Sequence, residues 1–233
     1  LFMDALPFET NKGTRTFKSI RNNNSQVYYT PLLDDFKQIR RIASSQGMLV
    51  INAAYTFDEA LLKKATKQFD FTIEKITPSY ILNSFEEVSY EKNPEYKTVE
   101  ERCNQLLKPM GAVCKLKYFT PEDTPVIVVA SEKINTEKNN ANNPLNSVLG
   151  AFKPKVQKTT PTLCMNANND LILTLTVITD VVVFESIVNI LYIQSLLLGK
   201  YPVNDDEMAL FNESLYKLIV MGMQDILGII HKN

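Results

Sequence analysis

Across 233 residues, 25 Lys and Arg nearly balance 26 Asp and Glu, for a formal charge of -1. A nucleic-acid surface needs a clustered basic excess, which this balance does not supply. At 45% apolar residues the chain can bury one large core or two small ones, and two domains are expected.

Residues 1–26 read as a polar, irregular lead-in, with a loop signal in Arg21-Asn22-Asn23-Asn24-Ser25. The opening Leu1-Phe2-Met3-Asp4 has no basic stretch or small-residue cleavage site, so a secretory signal is not expected and the chain reads as a piece of something longer. Val27-Tyr28-Tyr29 is a short β-type run. Pro31 to Gln46 has helical spacing, with Leu32, Phe36, Ile39 and Ala43 on one stripe and Gly47 placed as a C-terminal cap. Met48-Leu49-Val50-Ile51 predicts a strand buried on both faces. Thr56-Phe57-Asp58-Glu59 is a capping box that opens a helix to about Phe69, and Phe71 to Ile76 alternates as a third strand. This order predicts a small parallel α/β unit.

Residues 77–97 read as a connector that ends in the polar run 90–95. A second capping box, Thr98-Val99-Glu100-Glu101, predicts a helix to Lys108, which Pro109 and Gly111 stop. Val113–Phe119 and Val126–Ala130 are strand-like, and the turn formers between them predict a hairpin. Ser131 to Thr160 has a loop composition with one apolar island, Leu145, Val148, Leu149 and Phe152, at amphipathic spacing. The island suits either packing on its own domain or a surface offered to partners. Leu163 to Asn166 predicts a further strand, and two long helices follow at about 180–198 and 205–230, with Gly199-Lys200-Tyr201-Pro202 as the reversal. The stretch 171–198 is apolar, but Asp180, Glu185, Asn189 and Gln194 interrupt it, so a buried helix is expected and not a membrane span. The fold class is therefore α/β followed by α+β. The boundaries are 1–97 for the small α/β subdomain, with its irregular lead-in, and 98–233 for a mixed domain with a β-hairpin and two long C-terminal helices.

Reactive constellations are sparse. His231 is the sole histidine and reads as a solvated chain-end residue. The three cysteines, Cys103, Cys114 and Cys164, lack CxxC spacing and read as buried, reduced thiols of a cytoplasmic protein. No GxGxxG or GxxxxGK[ST] motif is present. The pairs Asp34-Asp35 and Asp205-Asp206 sit at predicted helix N-termini, where negative charge complements the dipole. Arg40-Arg41 reads as a solvated outer face. No catalytic, cofactor or metal residue is assigned, and the isolated chain is expected neither to bind nor to hydrolyse ATP.

With the elements in order, a resemblance becomes specific. Val27-Tyr28-Tyr29-Thr30, Gln46-Gly47-Met48-Leu49-Val50-Ile51-Asn52, Phe57-Asp58-Glu59-Ala60-Leu61-Leu62 and Phe69-Asp70 resemble the small α/β subdomain that ends the middle segment of heat-shock protein 90 chaperones. Pro125-Val126-Ile127-Val128-Val129 is similar to that family's second hairpin strand. Leu163 to Asp170 resembles its Leu-Glu-Ile-Asn-Pro-Asp-His signature, with Asn168-Asn169 departing from it. Ile190 to Leu198 resembles its Leu-Leu-Tyr-Glu-Thr-Ala-Leu-Leu helix, and Phe211 to Ile219 its terminal helix without the arginines. The likeness runs in order over residues 27–230 and is closest to a divergent bacterial, HtpG-like branch.

This resemblance implies the C-terminal part of an ATP-dependent chaperone. ATP and magnesium belong to the full-length protein and not to this piece. Each of the two final helices carries more than one apolar stripe, which predicts a homodimer with Phe184, Ile187, Leu191, Leu198, Phe211, Leu215, Ile219 and Ile226 as interface candidates, and the resemblance implies the same four-helix bundle. Leu145, Val148, Leu149 and Phe152 are the candidates for contact with unfolded clients. The acidic tail that binds tetratricopeptide co-chaperones is absent from His231-Lys232-Asn233, and neither nucleic acid nor membrane is an expected partner. Two other classes remain open. One is a stand-alone assembly module without a nucleotide cycle. The other is an α/β enzyme that takes a small ligand at the strand ends near Thr30 and Asn52.

Overall fold

The computed structural model describes residues 2–24, 26–69, 71–129 and 160–230. The chain divides into two compact units, Leu1–Phe85 and Glu86–Asn233, each mixed α/β with its own sheet.

The first unit runs α1 (Phe2–Ala5), β1 (Pro7–Thr10), β2 (Gly13–Thr16), α2 (Phe17–Asn23), β3 (Val27–Thr30), α3 (Leu33–Ser45), β4 (Val50–Asn52), α4 (Asp58–Phe69), β5 (Ile73–Lys75) and α5 (Pro78–Ser84). Its five strands lie in the order β2-β1-β4-β3-β5. The pairs β3–β4 and β3–β5 are parallel, as the alternation of elements predicts, but β1 adds antiparallel to β4 and β2 antiparallel to β1. The sheet is thus mixed and not purely parallel.

The lead-in is a working part of this fold and not irregular. Thr10 pairs with Gly13 across the two-residue turn Asn11-Lys12, and Gly13 holds φ +89°, a conformation that favours glycine. Phe8, Phe17 and Ile20 from this segment are buried with Val27, Ile51 and Leu62. The Phe17 ring meets Phe8, Phe69 and Phe71 at centroid distances of 6.3, 5.7 and 5.5 Å. Asn11 ties the hairpin to the neck of β4: it accepts from Val50 N at 2.9 Å and donates to Met48 O at 2.9 Å.

Every residue of β3 and β4 is buried, which suits strands covered on both faces. α3 buries Phe36, Ile39, Ile42 and Ala43. Leu32, expected on that stripe, precedes the first turn and is exposed.

The second unit runs β6 (Glu86–Glu87), α6 (Pro94–Leu107), a 3-10 turn (Lys108–Met110), β7 (Val113–Tyr118), β8 (Val126–Val129), β9 (Thr162–Asn166), α7 (Asp170–Leu175), α8 (Val181–Leu198) and α9 (Asp205–Ile230). The connector 77–97 is therefore divided: α5 belongs to the first unit, while β6 and the start of α6 belong to the second. α6 begins one turn before the expected Thr98, with Pro94 in its first turn, where a missing N–H costs nothing.

The strand order is β6-β7-β9-β8, so β7 and β8 are not a hairpin. β9 lies between them, parallel to β7 and antiparallel to β8. The physical reason is burial. Leu163, Cys164 and Met165 are fully buried and need neighbours on both edges, and the seven residues 119–125 are long enough to step over one strand. Asn166, at the end of β9, sits under that step. It donates to Thr124 O at 3.1 Å and Pro121 O at 3.3 Å, and its Oδ1 accepts from Phe119 N at 3.3 Å. The core of this unit gathers residues of α6, β7, β9, α7 and α8, among them Val99, Leu116, Met165, Ile172 and Tyr192.

Candidate functional site

The C-terminal helices form the most distinctive surface. α8 ends at Leu198, and the chain reverses through Gly199 and Lys200, the latter in left-handed backbone with φ 56°. Glycine is required at 199 because a Cβ there would lie 2.7 Å from the ring of the buried Tyr201. Asn204 and Glu207 then start α9 with a reciprocal capping box: Glu207 N donates to Asn204 Oδ1 and Asn204 N donates to Glu207 Oε2, each at 2.8 Å. The acidic pair Asp205-Asp206 falls in the same first turn, as expected. Asn189 of α8 meets Ser214 of α9, each about nine residues from the reversal, so the helices lie antiparallel. With 26 residues against 18, α9 outruns α8 by about 12 Å.

The eight interface candidates separate into distinct environments. Phe184 and Leu191 are 2% and 4% exposed inside the unit's own core, and Arg102 lies 3.5 Å from the Phe184 ring centroid. These two are covered within the chain, which corrects their placement on an outer face. Ile187 and Phe211 pack half-buried against the same core. Leu198, Leu215 and Ile219 are exposed, at 76%, 41% and 52%. Met223 and Tyr216 are also exposed, so Leu215, Ile219 and Met223 make one apolar stripe at i, i+4, i+8 along α9. Leu197, at the end of α8, is also exposed. The side chain of Ile226 lies outside the described residues, as do all four client-contact candidates, Leu145, Val148, Leu149 and Phe152. Because α8 is apolar on nearly every side, its inward and outward faces could not be told apart by periodicity. The i, i+4, i+8 spacing on α9 was the usable signal for Met223.

α8 is long and apolar enough to cross a membrane by length and composition, and half of that window is buried inside the protein.

Polar groups elsewhere are mostly committed to structure. All three cysteines are buried. The Cys114 thiol is pushed up by its hydrogen bond with Cys103 and by burial, and burial pushes Cys164 up to about 12. Thiols held this way are poor nucleophiles. No group of three or more His, Cys, Asp or Glu side chains is placed to hold a metal among the described residues. Asp34 and Asp35 lie in the first turn of α3.

The register of β3 on β4 brings Thr30 beside Asn52, both fully buried at the strand ends. Asn52 donates to Glu9 Oε2 at 2.7 Å, and the Tyr55 hydroxyl donates to the same oxygen at 3.1 Å. This clasp joins β1, β4 and the loop after β4, while Thr30 Oγ1 has no hydrogen-bond partner among the described residues. A cavity of about 540 Å³ beside it is lined by Glu9, Asn11, Arg40, Arg41 and Ser44. Arg40 and Arg41 therefore border a cleft as well as solvent.

No family model matches this chain, and no curated protein matches it.

Proposed function

We propose that this chain is the C-terminal part of a chaperone of the heat-shock protein 90 type, and that its own contribution is homodimerisation through α8 and α9. The observation that carries this reading is the exposed stripe Leu215, Ile219 and Met223 on α9. A helix that already buries Glu207 and Ser214 against its own unit needs no second apolar face unless another surface covers it. A second copy of the antiparallel hairpin supplies one by closing a four-helix bundle with twofold symmetry. The motif order from Val27 to Ile219 supports the family assignment. ATP binding and hydrolysis, and a cytoplasmic location, belong to the full-length protein in this reading. Contact of Leu145, Val148, Leu149 and Phe152 with unfolded clients rests on their amphipathic spacing within a polar segment and on the resemblance.

Sedimentation of the purified chain at micromolar concentration tests the proposal, with a dimer expected. Each Leu or Ile fully covered at the seam contributes on the order of 1.5–3 kcal/mol. Leu215→Asp and Ile219→Asp should therefore weaken association by tenfold or more, roughly, with unchanged circular dichroism. Leu191→Asp should instead unfold the second unit, since Leu191 is core. A wild-type chain that sediments as a monomer overturns the proposal.

A further inference from the structure

The cavity of about 540 Å³ in the first unit is a polar groove, with the β1–β2 hairpin as one wall and α3 as the other. Much of its lining is committed to the fold. Phe36 is buried in the core beneath it. Thr10 Oγ1 closes its own turn, donating to Gly13 O at 2.6 Å and accepting from Lys12 N at 3.1 Å. Asn11 uses both ends of its amide on Met48, Val50 and Ser44. Four side chains are left to meet an occupant: Glu9 and Thr14 on the hairpin, and Arg40 and Arg41 on α3.

Glu9 and Thr14 are cross-strand partners, so they share the face that looks into the groove. Asn52 and Tyr55 both donate to Glu9 Oε2, which holds the carboxylate from behind. Its Oε1 has no donor among the described residues and, unlike Thr30 Oγ1, is not sealed from solvent. Thr14, Arg40 and Arg41 are exposed. An occupant can therefore reach all four.

Arg40 stands level with Glu9. α3 joins the parallel strands β3 and β4 and runs back against them; β1 also runs against β4, so α3 and β1 point the same way. Asn11 Nδ2 donates to Ser44 Oγ at 3.0 Å and ties the two walls together. Four residues back along α3 and two back along β1 are each about 6–7 Å from that bond. Those steps reach Arg40 and Glu9. Yet no ion pair joins them, and the Arg40 guanidinium has no partner among the described residues.

Two unlike charges thus face one open space without meeting. We propose that the groove binds a small zwitterion, an amine and a carboxylate on one short carbon chain. Its ammonium donates to Glu9 Oε1 and its carboxylate accepts from Arg40, with the Thr14 hydroxyl beside Glu9 as a further acceptor. A simple anion would suit the arginines but meets the Glu9 charge, and a simple cation suits Glu9 but meets the arginines. The site lies wholly within the first unit, so it stands or falls independently of dimerisation.

The test uses the full chain at low salt and neutral pH with three probes on the same four-carbon chain: γ-aminobutyrate, butyrate and n-butylamine. Nitrogen-correlated NMR should show γ-aminobutyrate shifting the amides of Glu9, Thr14 and Arg40. It should bind at least about fivefold more tightly than either single-charge probe, because each of those loses one charge-assisted hydrogen bond. Arg40→Gln should weaken γ-aminobutyrate by about fivefold without weakening n-butylamine, and Glu9→Gln should weaken it without weakening butyrate. Should Glu9→Gln fail to fold, Arg40→Gln decides alone, since its side chain is exposed. Butyrate or n-butylamine binding as tightly as γ-aminobutyrate overturns the proposal. So does the absence of shifts around the groove at millimolar γ-aminobutyrate, or binding undiminished by Arg40→Gln.

Discussion

The side-chain amide of Asn104 bonds both main-chain polar groups of Cys114: Cys114 N donates to Asn104 Oδ1 at 2.8 Å, and Asn104 Nδ2 donates to Cys114 O at 3.2 Å. One turn earlier on α6, Glu100 Oε2 accepts from Leu116 N at 3.0 Å and from the Tyr90 hydroxyl. β6 pairs only with Lys117 and Tyr118, so the rest of that edge of β7 would stand open. Two side chains at i, i+4 thus do for the edge what a longer strand would do, and they close it to other chains.

Asn104→Ala removes both bonds to Cys114 at once. Because Cys114 is buried, the released N–H and C=O are poorly placed to recruit water. A loss of about 2–4 kcal/mol is expected in urea unfolding. A loss below about 0.5 kcal/mol would mean that the edge is held by other contacts.

Asn166 is fully buried and holds the step from β7 to β8 through three side-chain hydrogen bonds, to Phe119, Pro121 and Thr124, while a fourth accepts from Asn168 N after β9. Asn166→Asp keeps the acceptor but replaces the donating amide with a carboxylate facing two carbonyls. This variant should be less stable than wild type by at least about 2 kcal/mol, and the deficit should shrink at low pH as the carboxyl group takes up a proton. A deficit relative to wild type that does not change between neutral and acidic pH would contradict the assigned contacts.

Burial raises the Cys164 thiol from 9.0 to about 12 and the Tyr192 hydroxyl from 10.0 to about 12. In the unfolded chain both groups lose their protons at the lower values. From about pH 9 to 12 the unfolded chain therefore binds fewer protons than the folded one, and stability falls as pH rises. Below pH 9 the contribution is complete. Each group contributes a slope of at most about 1.4 kcal/mol per pH unit. Cys164→Ala removes one such group, so its unfolding free energy should decline less steeply than wild type between pH 9 and 10.5. Parallel declines would place the Cys164 thiol at its ordinary value.

The long and strongly patterned elements were legible from residues alone. α8, α9, β9 and the buried strand β4 fall within two residues of their expected bounds. Two kinds of element were not. β1 and β2 are four residues each and largely polar, so their pattern carries too few positions to read; the turn Asn11-Lys12-Gly13 between Phe8 and Phe17 was the available signal. The pairing of β7 depended on β9, more than forty residues away, and nearest-neighbour reasoning on a turn-rich link favours a hairpin. For the candidate site, composition gave the helices but not their sides. Phe184 is sealed by Arg102 from another helix, and no spacing within α8 announces that contact.

The pairing of β8 with β9 has a consequence for what this unit can carry. Val129, the last residue of β8, sits opposite Thr162, the first of β9, so the chain departs from one rung of the ladder and returns to the same rung. Two antiparallel neighbours can be joined by as few as two residues, and the entropy of closing a flexible link grows by only about 0.6 kcal/mol for each doubling of its length. A change in the length of that link should therefore cost this ladder little in closure entropy, whatever else the linking residues do.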